Sequence, residues 1–271
     1  MLNNVSAIAL LAFKEAIKQR VIYGLLIFAV LILWVAVLVS GFFLRDISKV
    51  MLDFCLAMVT VGGLTIPFFV AIHILAKDIE RKTIFTLLTR SISRGQYVLG
   101  KFAGLSLLAA VVMLLLSGCA WVAMRGGIWL WGERFFAHVS WPDIAFALFL
   151  SFLSVLVLNA IAIFWSTLTT SSFLATLLTI SSYIIGQLVD DVVRFITSDI
   201  SAFEVTPAIS GTVHVVKFLF PNLAAFDVKQ AAAHGMTIPF HDVTLLTIYA
   251  CAYIFVVLFL ATSFFVKRDF A

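Results

Sequence analysis

The chain has 271 residues, of which 63% are hydrophobic and only 12% charged, and its mean hydropathy is +1.15. No water-soluble domain hides that much apolar surface, so soluble enzymes and soluble binding modules are excluded and an all-α integral membrane protein is expected. The net charge of +4 does not point to nucleic acid, because an apolar bundle presents no continuous basic face.

In chain order, residues 4–20 come first. Ile8, Leu11, Ala12 and Glu15 fall on one helical face, Leu10, Phe13 and Ile17 on another, and Lys14, Lys18 and Arg20 lie toward the end. This pattern predicts a helix in the headgroup plane with its cations toward anionic lipid, with an ordinary basic flank as the plainer alternative. The apolar run that follows is long and has no small-residue cleavage site, so it reads as a retained span and not as a signal peptide. A crossing helix needs about 20 apolar residues, and six runs qualify: 21–44, 50–75, 96–124, 143–168, 173–189 and 243–266. They form one membrane domain over 1–271, with no Gly-, Ser- or Pro-rich linker.

Several residues inside the spans invite functional readings. Asp53 lies near the outer end of the second span, where a wetted position is favoured over a proton carrier; His73, near the inner end, has no second axial residue for a haem. Gly62, Gly63 and Pro67 predict a kink. In the fourth span Asn159, Ser166 and the hydroxyls through Ser172 mark a tight inner turn. Cys55, Cys119 and Cys251 lie in apolar runs, without metal-ligand spacing or a disulfide framework, and are expected as buried free thiols. Trp129, Trp131, Trp141, Phe135 and Phe136 surround Glu133 and Arg134 as an interfacial aromatic belt. His138, His214, His234 and His241 are expected on the outer side at irregular spacing, and no metal site is predicted from them.

The densest cationic interruption is Ala76 to Gly104. Asp78, Glu80, Arg81 and Lys82 precede Thr83, Ile84, Leu87 and Leu88, whose apolar members recur at helical spacing, and Asp78 with Lys82 forms an i, i+4 pair. The spacing predicts a short amphipathic helix over about 77–90, closed by Arg90 and Arg94 before the third span. Gly95 to Lys101 imitates the start of a phosphate-binding loop, but Phe102 stands where a magnesium-ligating hydroxyl is required. Gly100 and Gly104 read instead as small residues for close helix contact, with Lys101 reaching the cytoplasmic headgroups. Charge sets the orientation. Lys14, Lys18, Arg20, Lys77, Arg81, Lys82, Arg90, Arg94, Lys101, Lys267 and Arg268 fall on one side, with only Glu15, Asp78, Glu80 and Asp269 against them. The other side is acidic, so both termini are expected in the cytoplasm.

The run Glu80, Thr83, Leu87, Leu88, Thr89, Arg90, Ser91, Ile92, Ser93, Arg94, Gly100 and Lys101 resembles the cytoplasmic loop of permease subunits in the type-2 ABC exporter family, with Ser91 where the family commonly has proline. The resemblance extends over the six-span layout. Phe220-Pro221-Asn222-Leu223 and Lys267-Arg268-Asp269 are similar to the branch that includes the permease of the nitrous-oxide-reductase maturation system. The resemblance implies a non-enzymatic permease in the bacterial inner membrane, working as a homodimer above two ATP-binding subunits that carry ATP and magnesium. It implies no cofactor in this chain. Segment 77–90 would be the coupling helix, and Asp78, Glu80, Arg81, Lys82, Thr83, Ile84, Leu87, Leu88, Arg90 and Arg94 would meet the partner. The homodimer contact would use the first and fifth spans, with Ser181, Ser182 and Gly186 as small residues on the fifth. The alternative is a self-sufficient secondary transporter or intramembrane enzyme, though the span cores carry no acid or base at mid-membrane.

The outer segment 190–242 holds a second apolar run, His214 to Phe220, ended by Pro221 and Asn222. It is too short to cross, and extending it would bury Lys217 at a cost of about 2.5–3.5 kcal/mol. A segment that dips in and turns back is therefore expected. By the resemblance, Phe218, Phe220, Pro221 and Asn222 would form an outer gate. In intact cells, cysteines placed at Asp199 and Lys229 should react with an impermeant maleimide and one at Ala271 should not. Reaction at Ala271 from outside would break the six-span topology.

Overall fold

The computed structural model describes residues 2–18, 20–42, 46–72, 93–136, 139–169, 171–197 and 219–267. Among them the regular structure is entirely helical: α1 (Leu2–Ile17), α2 (Arg20–Ser40), α3 (Ile47–Thr65), α4 (Arg94–Trp131), α5 (Trp141–Leu168), α6 (Ser172–Thr197), α7 (Lys229–Ala233) and α8 (Phe240–Lys267). Short 3-10 turns occupy Glu133–Phe136 and Ala224–Phe226. Five helices among the described residues are long and apolar enough to cross a membrane, at Ile47–Ala71, Arg94–Trp131, Trp141–Leu168, Ser172–Phe195 and Phe240–Lys267. The strongly apolar α2 adds 21 residues.

Two helices run past the ends that hydropathy gives them. Apolarity along α4 stops at Arg125, yet the helix continues to Trp131 and stops only at Gly132, whose φ of 93° suits glycine. The Arg125 guanidinium lies over the Trp121 ring, 5.3 Å from its centroid, so the helix carries the charge outward without breaking. At about 1.5 Å per residue, 38 residues give α4 a length near 57 Å, well beyond a hydrocarbon core of about 30 Å. In α6, Asp190 and Arg194 pair at 2.9 Å one turn apart, and the helix extends through them to Thr197. A charge ends an apolar run; it does not end a helix.

The kink expected in the second span takes a specific form. From Ile66 to Ala71 the helix is π-helical, with Pro67 in its first turn. Proline has no N–H to return to the preceding turn and its ring crowds the carbonyl four residues back, so the ladder widens. The Thr65 hydroxyl donates to the Gly62 carbonyl at 2.7 Å, and the Ile66 N–H turns to Gly63, which satisfies backbone acceptors around the irregularity.

At the centre stands α5, buried along most of its length and packed against α3, α4, α6 and α8. Thr60 of α3 donates to Ser151 of α5 at 3.3 Å. On the flank, α1 lies along the first turns of α4, burying Ile8, Ala12 and Ala16 while Lys14 and Lys18 stay exposed. Glycine is required at this contact: a Cβ on Gly100 would come within 2.7 Å of Ile8, and one on Gly104 within 2.5 Å of the Ala9 carbonyl oxygen. Lys101, expected to reach the headgroups, is instead only 2% exposed. Its Nζ lies 3.6 Å from Glu15 of α1 and 5.7 Å from the Tyr97 ring centroid. The close helix approach that the glycines allow leaves Lys101 no path to solvent, and Glu15 supplies the counter-charge.

Replacing Gly104 by Ala should therefore destabilise the protein by about 1–3 kcal/mol, because the clash is with backbone that cannot rotate away. Gly118→Ala on the same helix meets nothing within 4 Å and should be neutral or gain up to about 1 kcal/mol from helix propensity. Thermal unfolding of both variants in one detergent tests the difference.

Candidate functional site

Of the residues assigned to the coupling helix, Asp78, Glu80, Arg81, Lys82, Thr83, Ile84, Leu87, Leu88 and Arg90 lie outside the described residues. Arg94 is described, and it opens α4. Ser93 caps this helix: its hydroxyl accepts from the Gln96 N–H at 3.2 Å, and the Gln96 side chain accepts from the Ser93 N–H at 3.1 Å. The cap fixes where α4 begins. From that first turn the Arg94 guanidinium crosses to α8 and donates to the carbonyls of Phe265 at 2.9 Å and Val266 at 2.7 Å. One turn on, Tyr97 stacks on Phe265, with centroids 5.8 Å apart and planes at 12°. Segment 73–92 is thus joined through α4 to both α8 and α1.

At the opposite end of the bundle, residues 219–239 enter between the helices. Phe218 is outside the described residues; Phe220 is half-buried, Pro221 buried and Asn222 half-buried. The chain turns at Pro221 and Asn222, and three backbone groups around the turn find partners on neighbouring helices. The Tyr253 hydroxyl donates to the Leu219 carbonyl at 3.1 Å, the Asn222 N–H donates to the Tyr249 hydroxyl at 3.0 Å, and the Leu223 N–H donates to the Gly186 carbonyl at 2.9 Å. The Asn222 side chain accepts from the Ala225 N–H at 3.2 Å, closing the turn. Leu223 and Phe226 are each 1% exposed, and Phe226 stacks on Tyr249 at 6.1 Å. Further along, the Ile238 N–H donates to the buried Asp143 carboxylate at 3.0 Å. The approach at Gly186 leaves no room for a side chain, since a Cβ there would lie 2.7 Å from the Pro221 carbonyl oxygen. Gly186 sits about 16 Å from the Thr197 end of α6, so the turn reaches a substantial way into the bundle.

This inserted segment corrects one expectation. Ser182 and Gly186 were assigned to a subunit contact, but both face inward: Ser182 is 1% exposed and accepts from the Trp165 Nε1–H at 2.9 Å, while Gly186 receives the turn. The exposed faces are apolar instead, with Ile27, Leu31, Trp34 and Leu38 on α2 and Leu177, Ile184, Leu188 and Phe195 on α6. The segment also carries a charged pair, of which Asp227 is exposed. Lys229 and Asp227 pair at 3.2 Å. Beside them Thr60, Ser151, Ser154 and Gln187 line a cavity of about 10 Å³, room for about one water. Sequence reasoning missed Tyr249, Tyr253 and Asp143; the signal available was two tyrosines one turn apart in an otherwise apolar span.

Cys55 is buried and Cys119 half-buried, but Cys251 is exposed on the outer face of α8, contrary to the expectation of buried thiols. Among the described residues no three His, Cys, Asp or Glu side chains gather as metal ligands; His73, His138 and His214 lie outside that set.

Long apolar helices around a buried central helix, with a hydrogen-bonded segment inserted from one end, define a multi-pass α-helical membrane protein. A family model for ABC-2 family transporter protein matches residues 6–270. The chain therefore belongs to the ABC-2 transporter family and is a membrane permease of an ABC transporter, a component that is not itself catalytic and that normally works with an ATP-binding subunit. No curated protein matches the chain.

The hydrogen bonds at the turn make a local prediction. A cysteine replacing the buried Leu223 should be slow to react with a soluble maleimide. Combining it with Tyr249→Phe and Tyr253→Phe, each removing a bond of about 0.5–1.5 kcal/mol, should raise its rate several-fold. An unchanged rate would mean that the tyrosines do not hold the segment.

Proposed function

We propose that the chain is the membrane half of an ATP-driven exporter, two copies of which form the pathway above two ATP-binding subunits. The observation that carries this reading is the family match along nearly the entire chain. In this reading α2 is the first of six spans, both termini are cytoplasmic in a bacterial inner membrane, and α1 lies at the inner headgroups with Lys14 and Lys18 toward lipid. Segment 77–90 is the coupling helix. Its rim of Asp78, Glu80, Arg81 and Lys82 and its apolar face of Ile84, Leu87 and Leu88 suit a groove with a polar edge. ATP and magnesium belong to the partner. The two permease copies meet through the exposed apolar stripes of α2, spaced by four, three and four residues, and of α6, spaced by seven, four and seven, and both spacings suit a helix seam. Segment 219–239, with Phe220, Pro221 and Asn222 at its turn, forms the outer gate. Phe220-Pro221-Asn222-Leu223 and the Lys267-Arg268-Asp269 tail favour the branch of the nitrous-oxide-reductase maturation permease.

A second reading, secondary transport, draws on one observation, the Asp227–Lys229 pair beside the polar cavity. The two readings part on the coupling helix. Glu80→Lys or Leu87→Asp should sharply reduce co-purification of the ATP-binding subunit and lower ATP-driven transport about five- to thirtyfold, the effect of losing about 1–2 kcal/mol at an interface. Membrane insertion should be unchanged. Wild-type transport and wild-type co-purification in either variant would overturn the exporter assignment.

A further inference from the structure

Segment 73–92 is flanked by two helix ends of opposite character. On its N-terminal side, α3 runs out through the π-helical turn Ile66–Ala71, with Pro67 inside it and Gly62 and Gly63 just before. Such a π turn is a rare irregularity within an α-helix and is frequent at functional sites. On its C-terminal side, α4 begins with a complete capping box at Ser93 and Gln96. Within two turns it is fastened to two other helices by side chains at i, i+3 and i+7. Arg94 holds the Phe265 and Val266 carbonyls, Tyr97 stacks on Phe265, and Lys101 pairs with Glu15. Gly95 permits the approach to α8, since a Cβ there would stand 3.2 Å from Thr262.

The Arg94 bonds join a side chain of α4 to two carbonyls in the last turn of α8, and they place a cation near the C-terminal part of that helix, where its dipole is negative. Both effects act on α8 and neither needs a second subunit. We propose that Arg94 is a positioning residue that ties the C-terminal end of α8 to the start of α4. Movement of the coupling segment is then passed rigidly to α1, α4 and α8 and absorbed on the α3 side by the π turn. This rests on the coupling role given above to segment 77–90. It assigns Arg94 to internal transmission and not to partner contact.

Hydrogen exchange of the last two turns of α8, read by mass spectrometry on the complex purified from membranes with and without ATP, tests the tie. In Arg94→Ala the amides of the final turns should exchange about tenfold faster, the effect expected on losing charge-assisted hydrogen bonds. Any response of these turns to ATP should vanish while the amount of co-purified ATP-binding subunit stays the same. Arg94→Lys, which keeps a cation able to bond the carbonyls, should restore most of the protection, and Arg94→Gln serves if the alanine variant does not fold. Unchanged exchange in Arg94→Ala, or loss of the ATP-binding subunit from it, overturns the proposal. Glu80→Lys separates the two readings: if it keeps the partner, the coupling assignment of 77–90 fails, while the exchange of α8 still decides whether Arg94 holds that helix.

Discussion

A backbone polar group facing hydrocarbon must be satisfied from within the protein, and this constraint governs every irregular place in the fold. The helices meet it by themselves along their lengths. Where regular structure stops, a side chain from another helix completes it: Tyr253 and Tyr249 for the turn at Leu219 and Asn222, and Asp143 for the Ile238 N–H; Arg94 likewise binds two carbonyls in the last turn of α8. In each case the donor or acceptor stands on a long, well-packed helix, so the irregular segment inherits its position from a rigid one. The inserted segment depends on this arrangement as well as on the burial of Leu223 and Phe226, since unpaired N–H groups are costly away from water.

The same constraint explains how much of the molecule was legible in the sequence. Composition and apolar run length are properties of the residues alone, and they gave an all-helical membrane protein and the approximate positions of its long helices. Helix ends were less legible, because the transfer cost that ends a hydrophobic run at Arg125 or Asp190 differs from the backbone chemistry that ends a helix at Gly132. Lys101 was misread for a related reason. An isolated lysine near a span end snorkels by default, and only the approach of α1, set by Gly100 and Gly104, brings Glu15 to it across a long sequence separation.

Small residues showed the limit of local reading most clearly. Ser181, Ser182 and Gly186 on one side of a helix signal that something packs closely there, but not what. In the structure the occupant at Gly186 is the chain's own turn at Pro221. Tyr249 and Tyr253 looked like ordinary aromatic members of an apolar span, and their hydroxyls acquire meaning only once carbonyl and amide groups from residues 219–222 are opposite them. The family motif in 77–94 was visible as a pattern of residues, whereas the partner of Arg94 lies 171 and 172 positions away. No periodicity reports a contact of that separation.

Full satisfaction is not reached everywhere, and the exceptions are distributed unevenly. Among the described residues, buried side-chain atoms of Ser106, Asn159 and Ser166 have no hydrogen-bond partner; Trp131, beside Gly41 at the other end of the bundle, is the fourth such residue. Asn159 is fully buried and lacks a partner on both its oxygen and its nitrogen, a cost of about 1–3 kcal/mol for such a group. Its level in the bundle follows from register: Thr60 meets Ser151, and a Cβ on Gly63 would meet Val155, so the next turn brings Asn159 alongside Pro67 and the π-helical segment. A widened helix and an unpaired amide therefore share one level, on the α3 side of the chain that leads to segment 73–92. The opposite side, at Ser93, Arg94 and Lys101, is capped, bonded and ion-paired. Among the described residues the start of α4 thus carries a cap, an ion pair and two hydrogen bonds to α8, whereas the last described part of α3 carries the π turn and faces an unpaired amide.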